Sequence, residues 1–288
     1  MRQALSFFIV FATFFVSCAA VLASGVNQRE HTLTGEFRMH RGYRSKFLAK
    51  DRDIIVYLPP GYETGSRRYP VLYLHDGQNI FDGATSYIPG MEWRVDETAQ
   101  ALIAGGEIEP LIIVGVYNAG EQRVFEYTQT RDVRHKVGGK ARQYGRMLVE
   151  ELKPFIDSEY RTLAGPSDTG LGGSSLGGLV TLYLGLRYPK VFGKLAVVSP
   201  SVWWDRKVIV KNVQQVRRKP QLMIWLDMGT KEGDRATTDA AALRDALVAK
   251  GWVLGADLSY FEAQGAEHNE KAWSERVGMI LKFLFPKR

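Results

Sequence analysis

The sequence holds one cysteine in 288 residues, Cys18. A single thiol excludes an internal disulfide framework and a thiolate metal site, so stability has to come from a hydrophobic core. Long apolar runs are also scarce. Beyond the N-terminal leader no segment is long and apolar enough to cross a bilayer as a helix. There is no repeat at a fixed period, no low-complexity tract, no Pro/Ser-rich linker and no block of like charge. A chain with 45% hydrophobic residues and none of these interruptions reads as one large α/β domain. The formal charge of +7 is spread along the chain. Its densest basic stretch, QQVRRKP from Gln214 to Pro220, is short and lacks interleaved aromatics, which argues against a nucleic-acid partner.

The leader has its own layout. Arg2 precedes an apolar run from Ala4 to Val16, and small residues follow through Ser24. That pattern predicts a secretory signal over residues 1–23, with cleavage after Ala23 and export to the periplasm or medium. The alternative starts from FFVSC, which resembles a bacterial lipoprotein signal cut before Cys18. In that case a lipid at Cys18 is the one expected membrane contact, although Phe15 stands where leucine is usual. A single domain is expected over residues 32–288.

From Glu36 to Leu58 the chain alternates and is rich in aromatic and β-branched residues, ending on the Pro-Pro-Gly turn signal of DIIVYLPPGY. These are expected to be antiparallel edge strands. The compact apolar runs that follow, among them PVLYLHDG, PLIIVGVYN, KLAVVSPS and QLMIWLDMG, suit parallel strands covered on both faces by helices. Between them Tyr144, Met147, Leu148, Leu152, Phe155 and Ile156 share a helical face, which Pro154 is expected to kink or end. Further helices are expected after Gly177, at Ala241–Leu247 and at Val277–Phe285. Alternating strands and helices imply a doubly wound sheet whose ligands bind at the carboxyl ends of the strands.

At one such end stands GLGGSSLGGLV. Only Ser175 has glycine two residues away on both sides, Gly173 and Gly177, and so fits the Gly-x-Ser-x-Gly turn that lifts a hydroxyl clear of its neighbours. Ser174 does not, because Leu176 follows two places on. A serine hydroxyl is a weak nucleophile, so it needs a base, an acid to orient that base, and donors for an oxyanion. Of five histidines only His268 follows Ser175, between the last expected strand and the last helix. For the acid, Asp227, Glu232 and Asp234 compete in LDMGTKEGD. One oxyanion donor is the Leu176 amide, which opens the helix after the nucleophile. Trp203, Trp204 and Trp93 lie in loops where they can border a substrate, and the polar segment from Gly120 to Gly139 reads as a lid or specificity loop. His135 within it reads as solvated.

Taken together, the Ser175 turn, the LHDGQNIF loop, SPSVWW and the final histidine resemble an esterase family of α/β hydrolases that includes feruloyl esterases, esterase D, siderophore esterases and mycolyltransferases. The resemblance runs from about residue 35 to the C-terminus. It implies the α/β-hydrolase fold, a mostly parallel central sheet with antiparallel N-terminal strands. It implies the Gln78 amide, in His75-Asp76-Gly77-Gln78, as second oxyanion donor, with Asp76 beside the substrate. It favours Glu232 as acid, because Gly229-Thr230-Lys231-Glu232 matches the family's Gly-x-x-Asp spacing with Glu for Asp; a serine–histidine dyad without an acid is the other family pattern. Arg123, Glu126 and Tyr127 match its Arg-x-x-Glu-Tyr stretch near the site. The expected activity is hydrolysis of a carbohydrate or aromatic-acid ester, feruloyl or acetyl in type, with no metal or organic cofactor. A siderophore esterase, a mycolyltransferase-like acyltransferase and a non-catalytic binding module on the same fold are the alternatives.

Overall fold

The computed structural model describes residues 29–287. The expected leader and Cys18 lie outside the described residues. One eight-stranded sheet organises the chain. Strands β1 (Glu36–Tyr43) and β2 (Arg52–Leu58) pair antiparallel, and β2 pairs antiparallel with β4 (Ile112–Val116). From there the sheet is parallel, through β3 (Val71–His75), β5 (Thr169–Ser174), β6 (Lys194–Val198), β7 (Met223–Gly229) and β8 (Leu258–Ala263). The order β1-β2-β4-β3-β5-β6-β7-β8 and the antiparallel N-terminal edge are those of the α/β-hydrolase fold expected from the sequence.

Strand alternation divides the interior into two cores. Ile54, Val56, Val71 and Tyr73 face one, and Ile55, Tyr57, Leu72 and Leu74 face the other. Helices α1 (Val95–Ala104) and α8 (Glu270–Leu284) cover the second core, Val95, Ala99 and Leu102 packing with Trp273, Val277 and Leu281. The first is covered by α3 (Ala141–Arg146), α4 (Lys153–Glu159), α5 (Leu176–Arg187), α6 (Trp204–Gln214) and α7 (Ala236–Ala249), with the short α2 (Arg123–Glu126) leading into α3. The chain leaves β3 toward α1 on one face and leaves β5 toward α5 on the other. That divergence opens a crevice at the carboxyl ends of β3 and β5, where Asp76 and Ser175 stand.

Pro154 does not end its helix. The preceding turn, Met147–Leu152, widens into a π-helical turn that runs straight into α4 with Pro154 in its first turn. Proline lacks an N–H and its ring crowds the carbonyl four residues back, and a wider turn relieves both without losing the buried face of Tyr144, Met147, Leu148, Leu152 and Ile156. Phe155, expected on that face, is only partly buried.

Close backbone approach explains only the second of the two glycines that follow Leu176. A Cβ on Gly178 would sit 2.7 Å from the Val198 carbonyl oxygen, whereas one on Gly177 meets only ordinary contacts. Gly178→Ala is therefore expected to lose about 2–3 kcal/mol of stability, from overpacking against fixed backbone, and more than Gly177→Ala. Chemical denaturation of the two variants checks the order.

Candidate active site

Ser175 occupies the sharp bend between β5 and α5 at φ 60, ψ −122, a conformation costing a non-glycine residue about 1–3 kcal/mol. The bend is held from β6: Ser175 N donates to Val198 O at 3.1 Å, and Ser175 O accepts from Ser201 N at 3.0 Å. Ser175 Oγ lies 3.3 Å from Ser201 Oγ. Ser174 is buried at the end of β5.

His268 immediately precedes the cap of α8, where Asn269 accepts from Ala272 N at 2.9 Å. Its Nδ1 lies 2.6 Å from Glu232 Oε2. The carboxylate keeps the proton on Nδ1 and leaves Nε2 as the acceptor nitrogen of the neutral ring. Trp273 stands edge-on to the imidazole, ring centroids 4.9 Å apart, and limits its rotation. Glu232 itself is buried. Its Oε1 accepts from Gly229 N at 2.7 Å and Ser199 Oγ at 2.6 Å. Gly229 has to be glycine, because a Cβ would stand 2.4 Å from Ala266 O and 2.6 Å from Glu232.

The other two carboxylates do not pair with His268. Asp227 is fully buried at the end of β7, accepting from Ser199 N at 3.0 Å and Trp225 Nε1 at 2.7 Å, with Arg276 Nε at 3.4 Å. Burial pushes its carboxyl up, against the pull of Arg276. It braces β6 against β7. Asp234 is exposed at the rim. Sequence reasoning missed Ser199 as the junction of this network: its Oγ also accepts from Trp273 Nε1 at 3.0 Å and Arg276 at 2.9 Å. The stretch SPSVWW was visible, but the partners of Ser199 are 28 to 77 residues away.

Behind the crevice, Asp76 takes a left-handed conformation at φ 58 and opens a single 3-10 turn, Gly77–Asn79. Arg123 clamps its carboxylate with two bonds of 2.7 Å, and Asp76 N donates to Tyr127 Oη at 3.2 Å. Burial alone would raise the Asp76 carboxyl, but Arg123 and Asn118 outweigh it and hold it below its usual value. Glu126 pairs with buried Arg52 at 2.9 and 3.1 Å. Arg123, Glu126 and Tyr127 are thus held by three anchors and form a fixed part of the segment from Gly120 to Gly139, whereas Val133, Arg134 and His135 further along it are exposed. Gln78 is fixed by its side chain, whose Oε1 accepts from Asn118 N at 3.3 Å.

Two cavities meet at the serine. The larger, about 650 Å³, is bordered by Pro200, Val202, Trp203, Met228 and the charged rim of Arg206, Lys207 and Asp234. The smaller, about 420 Å³, is bordered by Asp76, Gln78, Asn118, Arg123, Glu270 and Tyr87. Ser175 and His268 border both. Arg206 and Lys207 belong to a left-handed turn at the start of α6, with φ near 57 and 59. Trp203, 55% exposed, is the tryptophan on the larger cavity. The expectation for Trp93 and Trp204 is revised. Trp93 is buried in the second core against Trp273, and Trp204 is buried with its Nε1 donating to Thr130 O at 3.2 Å. In both cases the ring is spent on packing.

A serine at a strained strand-to-helix bend, in this sheet order and beside a carboxylate-bound histidine, defines an α/β-hydrolase-type protein. The chain belongs to the esterase family described as "Putative esterase", whose model matches residues 45–284, and is a carboxylic-ester hydrolase. Among its relatives, the Bacillus subtilis protein "Uncharacterized protein YjcH" is 33% identical over 200 residues, covering 69% of this chain and 75% of the relative. The "Endo-1,4-beta-xylanase/feruloyl esterase" of Xylanibacter ruminicola is 28% identical over 247 residues, covering 84% of this chain and 30% of that longer protein. In fold, the crystal structure of the BES protein from Bacillus cereus superposes with a TM-score of 0.69 at 22% identity, covering 88% of this chain and 96% of the other.

One consequence concerns pH. His75, under the Asp76 turn, is fully buried with Nδ1 2.8 Å from Tyr144 Oη and no partner for Nε2. Burial lowers its pKa to about 3, with Asp76 opposing. The folded state therefore refuses a proton that the unfolded chain accepts near pH 6.5, so stability is lost as pH falls from about 6.5 toward 3, by at most about 1.4 kcal/mol per pH unit. His75→Asn is expected to flatten the fall in Tm between pH 7 and 5 relative to the wild type.

Proposed function

We propose that the chain is a serine esterase working through an acyl-enzyme, on esters that join an aromatic or acetyl acid to a carbohydrate. The observation that carries this reading is that Ser175 and His268 border both cavities, so that an ester spanning the two sets its carbonyl at the serine. In the first step Ser175 Oγ attacks that carbonyl while His268 Nε2 takes its proton. Glu232 holds Nδ1 and stabilises the imidazolium. The amides of Leu176 and Gln78 receive the oxyanion, the first at the start of α5, where the helix dipole adds to the effect. His268 then returns the proton to the departing alcohol, and water repeats the sequence to release the acid.

The two cavities suggest how the ester lies. The apolar wall of Pro200, Val202 and Met228, with the Trp203 ring at its mouth, suits a planar acyl group. The amides and charges of Gln78, Asn79, Asn118, Arg123 and Glu270 suit the hydroxyls of a sugar. The Xylanibacter relative carries feruloyl esterase in its name, which supports the same substrate class. Export, read from the leader, fits a polysaccharide ester and belongs to this proposal.

Ser175→Ala and His268→Ala are each expected to lower kcat about 10⁴-fold or more with the fold intact, and to abolish labelling of Ser175 by a fluorophosphonate. Glu232→Gln should lower kcat about 10²- to 10⁴-fold, while Asp234→Asn stays near wild type; the reverse order would move the acid to Asp234. On substrates, feruloyl and acetyl sugar esters should release acid. Failure on both, with cleavage of a siderophore trilactone, would overturn the substrate class while leaving the mechanism.

A further inference from the structure

Glu270 is the first residue of α8 and follows His268 by two positions. Glutamate is seldom buried unless it is paired, and at a helix start it usually complements the dipole from solvent. This one is 7% exposed and borders the smaller cavity together with Ser175 and His268. Its Oε1 accepts from Asn79 Nδ2 at 3.0 Å, and Asn79 Oδ1 accepts in turn from Tyr87 N at 2.9 Å. The backbone donor at Tyr87 fixes which way the Asn79 amide points, so the carboxylate is held in one orientation.

The second oxygen is unclaimed. Glu270 Oε2 accepts from no other residue and is open to the cavity. Arg123, the one Arg or Lys side chain in that wall, is committed to Asp76 by two bonds of 2.7 Å. The Asp76 and Arg123 charges cancel, which leaves Glu270 as the uncompensated charge of the wall. Burial, with the Glu270 backbone N–H opposing and the Asp76 charge adding, pushes its carboxyl up. A carboxylate is an acceptor only, so what this oxygen lacks is a donor.

We propose that Glu270 selects the alcohol half of the ester by accepting a hydroxyl of the leaving group, which gives the enzyme a preference for polyhydric over monohydric alcohols. The inference rests on the reading above that the smaller cavity takes the alcohol and the larger one the acyl group. Ser175 and His268 border both cavities, so the leaving oxygen that His268 protonates enters the space that Glu270 faces. A monohydric alcohol displaces water from Oε2 and returns no hydrogen bond, and a site built to bind a hydroxyl discriminates strongly against a substrate without one. Glu270 exchanges no proton in the reaction; it binds and orients.

The test uses two esters of one acid, methyl ferulate with feruloyl glucose, or methyl acetate with acetyl glucose. Both members of a pair give the same acyl-enzyme, so kcat/KM compares acylation alone. Dividing each kcat/KM by the ester's rate of alkaline hydrolysis removes the difference in leaving-group acidity. The corrected ratio of sugar to methyl ester is expected to be at least about tenfold in the wild type and to fall about tenfold in Glu270→Gln, mainly through KM of the sugar ester. Glutamine keeps the acceptor for Asn79 and puts an NH2 group, which accepts nothing, in place of Oε2. Should Glu270→Gln fail to fold, Glu270→Asp decides, because it keeps the charge and withdraws it from the cavity by one methylene. A corrected ratio near one in the wild type overturns the inference without any variant. So does a ratio unchanged in the variant, including equal loss on both esters, which is the signature of a purely structural carboxylate. Cleavage of neither pair by the wild type removes the substrate reading, and this inference falls with it.

Discussion

The 2.6 Å bond between His268 and Glu232 is the constraint on which the rest of the site depends. It joins the loop after β8 to the loop after β7, and neither could hold its side chain alone. Glu232 is fixed because Gly229 N and Ser199 Oγ bind its other oxygen. Ser199 is fixed in turn by Asp227, Trp273 and Arg276, which belong to β7 and α8. A carboxylate held this way is buried without being stranded, since each oxygen has a donor. The imidazole it orients therefore has one tautomer and one ring position, which a histidine on a free loop would lack.

The same region concentrates the backbone strain. Ser175, Ser199, Asp76 and the turn Asp205–Lys207 all take left-handed conformations, and all four border or brace the crevice. Strain of this kind persists only when the surroundings fix the local conformation more strongly than the residue resists it. Here the surroundings are the two cores on either face of the sheet, together with the buried Arg52–Glu126 and Asp76–Arg123 pairs. Breaking either pair would leave a desolvated charge behind the Asp76 turn. The loop architecture of the site is thus rigid where the serine, the histidine and the turn after β3 meet. Variation is left to the rims, where Trp203, Tyr87 and the basic side chains are exposed.

Much of this was legible in the amino-acid order. Strand and helix types followed from apolar periodicity, because the pleat and the helical turn impose it residue by residue. The antiparallel edge over β1 and β2 followed from alternation ending on Pro-Pro-Gly. Pro154 misled because a helix can absorb a proline by widening one turn, a choice governed by the packing of Tyr144 and Met147 against the sheet. Trp93 and Trp204 misled for a related reason. A tryptophan in a loop serves packing or exposure according to what the fold brings beneath it, and here Trp273 and the segment at Thr130 lie beneath.

By itself the sequence determined the features that are short in range, namely the glycines that permit a bend at Ser175 and the place of His268 ahead of the last helix, whereas the preference for Glu232 came from the resemblance to the esterase family. The short-range features depend on local sterics, which neighbouring residues dictate. Only the tertiary structure decided which of Asp227, Glu232 and Asp234 faces the histidine, which tryptophan meets the larger cavity, and that Ser199 joins the loops together. Those outcomes depend on contacts between segments tens of residues apart, made when β6, β7 and α8 pack, and no local pattern encodes a distance that only packing creates.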